Sequence, residues 1–464
     1  MAELKTMRVA IVGSGPAGFY AAMELLNNRD YDISVDMYDR LPTPWGLVRA
    51  GVAPDHQGTK SVTKLFQWCS AQPNFTYYLN VEIGKDLSHE ELTTHYHAVL
   101  YSYGASSSRA LGLPGEELPG SYAASEFVAW YNGHPDYADY HFDLSGERAV
   151  IVGNGNVALD VARILVKSTD ELKSTDIADH ALQALSKSNI KEVVILGRRG
   201  VADAAFTSPE LLGLGDLDNV DVVVEKADIE DAQNFAQSQA KVSTPLHNFK
   251  SALKLQIVTE LSQRQLQKSN KRIVLKFLRS PVELLGDKKV ESVRIVRNRL
   301  EQQSDGSTKA IAGDELELID TGLVLRSVGY FGRPIPGVPF DESRGVIPNE
   351  QGRAQKFVDG DPEFGVYCAG WIKRGPSGVI GTNKHCARET VNTMLDDFAA
   401  GKLSIVAEDR DSLVQRLSQR KIAVVDCKAW QRLNAHECEL GEINQRPRVK
   451  ITSIEDMLAV AISR

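Results

Sequence analysis

The 464-residue sequence has little of several features that mark common protein classes. None of its five cysteines forms a C-x-x-C pair or an iron–sulfur ligand run, which argues against a redox disulfide and a bound cluster. No apolar run reaches membrane-spanning length, so no membrane insertion is expected. The net charge is -8, whereas nucleic-acid-binding proteins are usually basic, so no nucleic acid is expected as a partner. The opening residues, MAELKTM, are too short and polar for a signal peptide, which predicts a cytoplasmic protein.

One group of cysteine and histidine residues needs to be weighed as a metal site. Cys427, His436 and Cys438 lie close together in the sequence and could suggest a metal site. Their spacing matches no common site, and free thiols in a reducing compartment are the favoured interpretation. We therefore expect no metal. The hydrophobic content of 42% and the charged content of 25% are ordinary for a globular protein, and the length suits two or three domains.

What the sequence does contain is a strand–turn–helix pattern near its start. Residues 9–12 form a short apolar run, and Gly13, Gly15 and Gly18 follow in the G-x-G-x-x-G spacing. The first glycine permits a tight turn, the second lets a pyrophosphate approach the backbone, and the third lets the helix pack closely on the sheet. The next strand ends near Asp39, where an acid can bind an adenosine ribose hydroxyl. The pattern predicts a dinucleotide-binding unit, with a chance glycine-rich turn as the alternative.

A second strand–turn–helix pattern lies in RAVIVGNGNVALDVARIL. Gly153, Gly155 and Ala158 repeat the spacing in its G-x-G-x-x-A form, so the chain should hold two dinucleotides. The strand that follows ends in Arg198 and Arg199 rather than in an acid. A pair of guanidiniums suits a ribose 2′-phosphate, and this predicts that the second unit prefers NADP(H) to NAD(H). The alternative is a solvated basic turn.

The order of these patterns predicts an α/β fold with two Rossmann-like dinucleotide-binding domains, the second inserted into the first. The turn-dense stretch LGLPGEELPG is the predicted junction from the first domain to the second, and GRPIPGVPFDES is the predicted junction back to the first. We expect the first domain over 1–106 and 332–464 and the second over 107–331. Residues 220–320 should complete the second domain with antiparallel strands. The tail from Ile405 is assigned to packing or to a contact between copies.

Longer stretches resemble adrenodoxin reductase and its bacterial relatives, the NADPH–ferredoxin reductases. The matching stretches, which run from about residue 7 to residue 395, are VGSGPAGFYAA, PWGLVRAGVAPDH, SYGAS, LPGEELPGSYAASEFVAWYNGHPD, VGNGNVALDVARIL, LGRRG with FTSPEL, and AGWIKRGPSGVIGTNK. The resemblance implies a glutathione reductase-like fold with FAD in the first unit and NADPH in the second. It also implies hydride transfer from NADPH to the flavin, followed by single-electron transfer to a small, acidic, ferredoxin-type iron–sulfur protein.

The resemblance assigns residues to both cofactors. For FAD it carries over Ala17, Asp39, Leu47 and Val81, with Trp371, Gly378, Val379 and Ile380 at the flavin end. For NADP it carries over Asn154, Gly155, Asn156, Val157, Arg198, Arg199 and Glu210, with Gly378 near the nicotinamide. A helix starting near Gly378 and aimed at the flavin pyrimidine would stabilise negative charge on the reduced ring.

His56 and Asp160 match a pair that lies beside the flavin and the nicotinamide in this family. His56 could take up or relay a proton, and Asp160 could position a group or relay a proton. Two plainer interpretations stay open from the residues alone. His56 could be a hydrogen-bonded loop histidine, and Asp160 could be a solvated helix residue.

The surface that would dock the iron–sulfur partner is not identified by the resemblance. In the mitochondrial proteins arginines on the NADP domain dock an acidic ferredoxin, and they cannot be matched one by one here. The basic candidates, which could equally form an ordinary solvated face, are Lys250, Lys254, Arg264, Lys268, Lys271 and Arg272. We expect a monomer or a weak homodimer.

Three other functions use similar motifs. A flavin monooxygenase also has two dinucleotide units, but no monooxygenase signature lies between the units of this chain. A disulfide reductase needs a redox cysteine pair, and none is apparent. A non-catalytic NADP-binding regulator or scaffold is compatible with the sequence, although intact motifs in both units speak against it.

Overall fold

The computed structural model describes residues 4–239, 245–267, 270–303, 308–406 and 408–463. The chain divides into two compact units, and each is described by itself. Unit 1 comprises Met1–Val52, His56–Arg109 and Gly329–Arg464, and unit 2 comprises Ala53–Asp55 and Ala110–Val328. The sequence places the breaks after residues 106 and 331.

Unit 1 is built on a seven-stranded sheet in which five neighbouring strands are parallel. Both faces of these strands are buried, which explains why the first strand is a nearly continuous apolar run. In spatial order the strands are Asn349–Glu350, Arg353–Gln355, Pro362–Cys368, Ala98–Tyr101, Thr6–Val12, Asp32–Asp39 and Phe75–Leu79, of which the first two are the antiparallel ones. Ser107–Ser108 and Tyr330–Phe331 form a separate two-stranded sheet.

The helices of unit 1 cover the two faces of this sheet. They are Pro16–Leu26, Leu47–Ala50, Gln57–Lys60, Thr63–Ser70, His89–His95, Trp371–Arg374, Thr382–Ala399, Arg410–Gln419, Cys427–Ile443 and Ile454–Ile462. Phe19 on the first helix stacks on Phe66 with ring centroids 4.4 Å apart, and both rings are fully buried. This packing anchors the helix that follows the glycine turn.

The helix Cys427–Ile443 is a feature of the tail that the sequence does not predict. Its buried residues Trp430 and Leu433 join the same core cluster as Met457 and Ala461 of the last helix. The tail therefore packs within unit 1. Among the described residues, no helix combines the length and the apolar character needed to cross a bilayer.

Unit 2 has a six-stranded sheet in which every strand pair is parallel. In spatial order the strands are Ser121–Ala123, Leu323–Arg326, Arg148–Val152, Glu192–Gly197, Lys271–Phe277 and Val220–Val224. A three-stranded antiparallel sheet consists of Arg279–Leu285, Ser292–Gln302 and Thr308–Asp320. Two sheets with parallel central strands, each with a glycine turn after one of these strands, confirm the predicted α/β class.

The helices of unit 2 correct part of the sequence prediction. They are Ala124–Tyr131, Asn156–Val166, Thr169–Leu172, Asp179–Leu185, Ser208–Gly215, Lys226–Gln239 and Pro245–Ser262, with short 3₁₀ turns at Pro135–Tyr137 and Val201–Asp203. The stretch 220–320 was expected to add antiparallel strands, yet it opens with a parallel strand and two helices. Lys271–Phe277 is also parallel, because it inserts between two strands of the main sheet.

Candidate dinucleotide-binding sites

The first glycine turn of unit 1 needs glycine at both of its ends. Gly13 has a φ of +104°, and a Cβ there would lie 2.6 Å from the Tyr103 backbone. Its N–H donates to the Tyr38 carbonyl at 2.8 Å, which joins the turn to the next strand. A Cβ on Gly18 would lie 2.3 Å from the Gly13 carbonyl oxygen. No other residue permits this approach of helix to strand.

The middle glycine faces open space. A Cβ on Gly15 would meet no atom within 4 Å, and Gly15 is the N-cap of the helix Pro16–Leu26. No described side chain caps the helix, whose first N–H groups and positive dipole end are therefore available to an anion. Ala17 lies in the first turn and is buried. An uncapped N-terminus with room in front of it fits a pyrophosphate.

Asp39 lies at the end of the second strand and reaches back to the turn. Its Oδ2 accepts hydrogen bonds from the Ser14 N–H at 2.9 Å and the Ser14 hydroxyl at 2.6 Å. Its Oδ1 accepts from the Leu41 N–H at 3.0 Å. Each carboxylate oxygen has more than one lone pair, so this arrangement holds the acid in place and leaves acceptor capacity for a ribose hydroxyl.

The loop that contains Leu47 lies against the glycine turn. The Trp45 N–H donates to the Ser14 carbonyl at 2.9 Å, and a Cβ on Gly46 would lie 2.9 Å from the Gly15 Cα. Leu47 begins a short helix and is 41% exposed, so its side chain is available to a ligand. The buried indole N–H of Trp45 has no acceptor among the described residues, an arrangement that costs free energy unless a ligand supplies one.

Val81 and Trp371, two further residues predicted to bind FAD, differ in their burial and in their contacts. Val81 is 1% exposed, and its N–H donates to the Asp39 carbonyl at 2.9 Å, so its backbone is the part that a cofactor would meet. Trp371 is half-buried and packs on Tyr330 with ring centroids 5.2 Å apart. A Cβ on Gly370 would lie 2.7 Å from the Ala17 Cβ, which brings the Trp371 segment to the start of the first helix.

The glycine loop before the helix Thr382–Ala399 is exposed. Gly378 has a φ of +82°, Val379 is 58% exposed, and Ile380 packs partly against the core. The Thr382 hydroxyl accepts a hydrogen bond from the Val379 N–H at 3.1 Å. The helix therefore begins at Thr382 rather than near Gly378, because the three residues before it form the turn that leads into it.

Arg374 is a residue of this region that the sequence analysis did not single out. Its Nη2 donates to the Ser377 carbonyl at 3.0 Å and to the Asn383 side-chain oxygen at 3.1 Å. Its Nε and Nη1 are buried without a hydrogen-bond partner in the described structure. Unmatched guanidinium N–H groups beside an exposed glycine loop are suited to an anionic or carbonyl-bearing ligand.

The glycine turn of unit 2 repeats the construction. Gly153 has a φ of +111°, and a Cβ there would lie 2.2 Å from the Ser327 carbonyl oxygen. Gly155 is the N-cap of the helix Asn156–Val166, which no described side chain caps. A Cβ on Gly155 would have its nearest neighbour, the Ala205 Cβ, at 4.0 Å. This turn also fits a pyrophosphate.

Two asparagines tie a second loop to that turn. The Phe206 N–H donates to the Asn154 carbonyl at 3.0 Å, and the Thr207 N–H donates to the Asn156 Oδ1 at 2.8 Å. Val157 is half-buried and packs against the core of the unit. The loop leads into the helix Ser208–Gly215, which carries the half-buried Glu210 in its first turn.

Arg198 and Arg199 follow the strand Glu192–Gly197 in an exposed turn. Their backbone carbonyls accept hydrogen bonds from the Asn298 side chain at 2.8 Å and from the Leu278 N–H at 3.2 Å. Arg198 is exposed and Arg199 is half-buried. Within the described residues neither guanidinium makes an ion pair, although a nearby acid would be expected if these charges served the fold alone.

Asp160 lies in the helix Asn156–Val166 of unit 2 and accepts a hydrogen bond from Arg163 at 2.7 Å. Arg163 also binds Asp55 in a bidentate pair at 2.6 and 3.0 Å. Burial raises the pKa of the Asp55 carboxyl, but the hydrogen bonds and charges of Arg163 and Lys167 outweigh it and hold that pKa well below the usual range. His56, the next residue, is half-buried and is the N-cap of the helix Gln57–Lys60 in unit 1.

The cysteines are not arranged as a redox pair. All five are free, and Cys69, Cys368 and Cys386 are buried. Burial raises the pKa of the Cys69 thiol to about 12, so it is not the thiolate that dithiol chemistry requires. This speaks against the disulfide reductase alternative.

The basic docking candidates that the structure describes differ in their exposure and in their contacts. The Lys254 ammonium donates to the Ala204 carbonyl at 2.6 Å, and burial lowers its pKa. Arg264 donates to the Gly215 carbonyl, and Lys271 is half-buried at the start of a strand. Lys250 is exposed, Arg272 is half-buried, and Lys268 lies outside the described residues.

Comparisons with known proteins agree with this geometry. Residues 7–196 match the family model described as pyridine nucleotide-disulphide oxidoreductase. The chain is 45% identical to the NADPH-ferredoxin reductase FprA of Mycobacterium tuberculosis over 466 residues, which cover 98% of this chain and 99% of that protein. It is 40% identical to the mitochondrial NADPH:adrenodoxin oxidoreductase of Arabidopsis thaliana over 474 residues, which cover 99% and 96%.

The chain belongs to the family of NADPH–ferredoxin and adrenodoxin reductases. Its fold also matches the solved structure of Mycobacterium tuberculosis FprA in complex with NADPH, with a TM-score of 0.92 at 43% identity, covering 99% of this chain and 100% of that one. The resemblance stated from the sequence motifs is thus confirmed.

Proposed function

We propose that this chain is an FAD-containing NADPH–ferredoxin oxidoreductase. The observation that carries the proposal is the pair of uncapped glycine turns. One turn lies beside an acid, and the other lies in a unit with two arginines, one exposed and one half-buried, that form no ion pair within the described residues. The predicted activity and the predicted cofactors, FAD and NADP(H), are confirmed by relatives named for this reaction over the full length of the chain.

The FAD site that we propose is the glycine turn of unit 1. When bound, FAD would supply the redox chemistry of this activity, the acceptance of a hydride from NADPH and the release of single electrons to an iron–sulfur protein. The N–H groups at Gly15 and Ala17 would bind the pyrophosphate, and Asp39 would bind the ribose. Trp371 and the loop of Gly378, Val379 and Ile380 would hold the ring. The charge of Arg374 and the N-terminus of the helix after the loop favour negative charge in this region.

The NADP site that we propose is the glycine turn of unit 2. Asn154, Gly155, Asn156 and Val157 form the turn that would receive the pyrophosphate, and Glu210 lies on the helix that the two asparagines position. Arg198 and Arg199 would bind the 2′-phosphate, and they leave no carboxylate at the strand end to repel it.

His56 and Asp160 are proposed to assist the hydride step by orienting groups or relaying a proton. The transfer of a hydride needs no protein acid, so their contribution is one of positioning. Arg163 holds the Asp160 carboxylate through a charge-assisted hydrogen bond, which supports an oriented side chain.

The partner is a ferredoxin-type iron–sulfur protein. We propose that it is small and acidic, that the reductase works in the cytoplasm, and that it is a monomer or a weak homodimer. The net charge of -8 on this chain means that an acidic partner would need a local basic surface.

A spectrum of the purified protein tests the function. We expect a yellow protein that NADPH bleaches in the absence of oxygen and that a ferredoxin reoxidises faster than oxygen does. Rapid reoxidation by oxygen with release of peroxide, and no acceleration by any ferredoxin of the organism, would instead favour the monooxygenase alternative. A colourless protein with no affinity for FAD would favour the regulator.

A further inference from the structure

A buried ion pair links the flavin-site loop to the tail of the chain. Arg49 lies in the short helix Leu47–Ala50, and Glu437 lies in the helix Cys427–Ile443. The two side chains form a bidentate pair, with Nη1 to Oε2 at 2.7 Å and Nη2 to Oε1 at 2.5 Å. The Glu437 side chain is 0% exposed and that of Arg49 is 6% exposed. Bidentate pairs of this kind fix orientation as well as distance.

Residues that follow the helix Cys427–Ile443 make further contacts with the Arg49–Glu437 pair. Glu437 also accepts hydrogen bonds from the Arg448 Nη1 at 3.2 Å and from the Ile451 N–H at 2.9 Å. The buried Lys450 ammonium donates to the Arg49 carbonyl at 3.2 Å. Burial raises the pKa of the Glu437 carboxyl, but the Arg49 and Arg448 charges overcome this effect and lower that pKa below its ordinary value. Glu437 is therefore an ionised carboxylate whose oxygens are fully engaged.

Contacts of the Trp45 ring also join the loop to the tail. The Trp45 ring meets the edge of the Trp430 ring with centroids 5.0 Å apart and an interplanar angle of 89°. The Arg448 guanidinium lies over Trp45 at 5.2 Å from the ring centroid. Trp45 has a φ of +86°, a conformation that a bulky side chain adopts only where its surroundings impose it. The tail supplies those surroundings.

We infer that the tail is part of the FAD site, with Glu437, Trp430 and Arg448 as positioning residues that hold the Trp45–Gly46 segment against the glycine turn. This segment donates the Trp45 N–H to Ser14 and brings Gly46 against Gly15. The tail thus acts on the pyrophosphate position through the loop. The inference rests on the proposal that unit 1 binds FAD.

The test compares Glu437→Gln with Asp397→Asn. Asp397 is also a buried carboxylate of unit 1 in a bidentate pair, with Arg353 at 2.6 and 2.8 Å, but its pair joins a strand to the helix Thr382–Ala399 and not the loop. We expect Glu437→Gln to raise the Kd of apoprotein for FAD about 10-fold, within the usual range of coupling between sites, and to change the visible circular dichroism of bound FAD. Asp397→Asn should lower the unfolding midpoint about as much as Glu437→Gln does. It should leave the Kd for FAD and the visible circular dichroism of bound FAD unchanged.

A second variant, Trp430→Phe, tests the inference if Glu437→Gln does not fold. Trp430→Phe weakens the contact with Trp45 without leaving a buried charge unpaired, and it should change the FAD Kd in the same direction. Equal FAD affinity and equal flavin dichroism in wild type, Glu437→Gln and Trp430→Phe would overturn the inference and leave the FAD assignment intact. A wild-type chain that binds no FAD would overturn the proposed function itself.

Discussion

Removing the two arginines of unit 2 is the perturbation with the clearest expected outcome. In the variant Arg198→Ala/Arg199→Ala the turn should persist, because it is held by backbone carbonyls that bind Asn298 and Leu278 and not by the guanidiniums. Neither guanidinium is paired with a described residue, so no buried acid is left without a partner. The effect should therefore fall on the bound nucleotide.

The magnitude follows from the exposure of the two side chains. A hydrogen bond to a charged group contributes about 1.5–3 kcal/mol. Arg198 is exposed and Arg199 is half-buried, so the lower end of this range applies to each. A combined loss of roughly 3 kcal/mol corresponds to a fall of about two orders of magnitude in kcat/KM for NADPH. NADH has no 2′-phosphate, and its kcat/KM should change little.

The assay is steady-state reduction of an artificial dye with each nucleotide, so that partner docking does not enter. A matched control is Arg299→Ala, which removes an exposed arginine of the same unit that lies 3.4 Å from Glu301. The control should behave as wild type with both nucleotides. An equal loss with NADPH and NADH in the double variant would show that the arginines support the fold and would refute the assignment.

Three further outcomes test other parts of the structure. Gly15→Val should place a side chain in the pyrophosphate position and yield colourless protein, and a full flavin load by absorbance would contradict the site. His56→Gln and Asp160→Ala should each slow flavin reduction by NADPH roughly 10–100-fold in stopped-flow measurements, with normal FAD content. The loss is modest because these residues only orient other groups or relay a proton. Burial raises the pKa of Asp228 to about 6, so its stabilising contribution is present at acidic pH and is lost as the pH rises through 6. Asp228→Asn should therefore remove a fall of roughly 3 kcal/mol in the unfolding free energy between pH 4 and pH 7.5, measured with urea.

The sequence predicts best the features whose cause is local. The strand, the turn and the helix around Gly13 and Gly153 each follow from steric conditions within a few residues, so the glycine spacing is sufficient to find them. The same is true of Asp39 and Arg198, because both lie at the end of the strand after the turn. What these groups bind stays a prediction in residue detail, although the cofactors are confirmed.

The contacts that the sequence does not reveal are those formed between distant parts of the chain. Glu437 and Arg49 are separated by 388 positions, and nothing near either residue indicates a partner. The sequence does not predict the helix Lys226–Gln239 because its large apolar residues are sparse. It does not predict the helix Pro245–Ser262 because the more numerous apolar residues there do not form a single stripe. The sequence does not predict a role for Arg374, because a single arginine in a glycine-rich motif indicates no ligand. Its unmatched N–H groups are visible only in the structure.

The two units show how one construction can select different dinucleotides. In unit 1 the strand-end acid is held by Ser14 of the turn itself, so the carboxylate is presented in a fixed position that suits a ribose hydroxyl and repels a phosphate. In unit 2 the strand end carries no acid, and its two guanidiniums keep their hydrogen-bonding capacity unused within the described structure. The glycine turns are nearly the same, so we expect discrimination for or against a ribose 2′-phosphate to arise at the strand ends. Exchange of these strand-end residues, and not of the turns, should therefore alter whether a ribose 2′-phosphate is accepted.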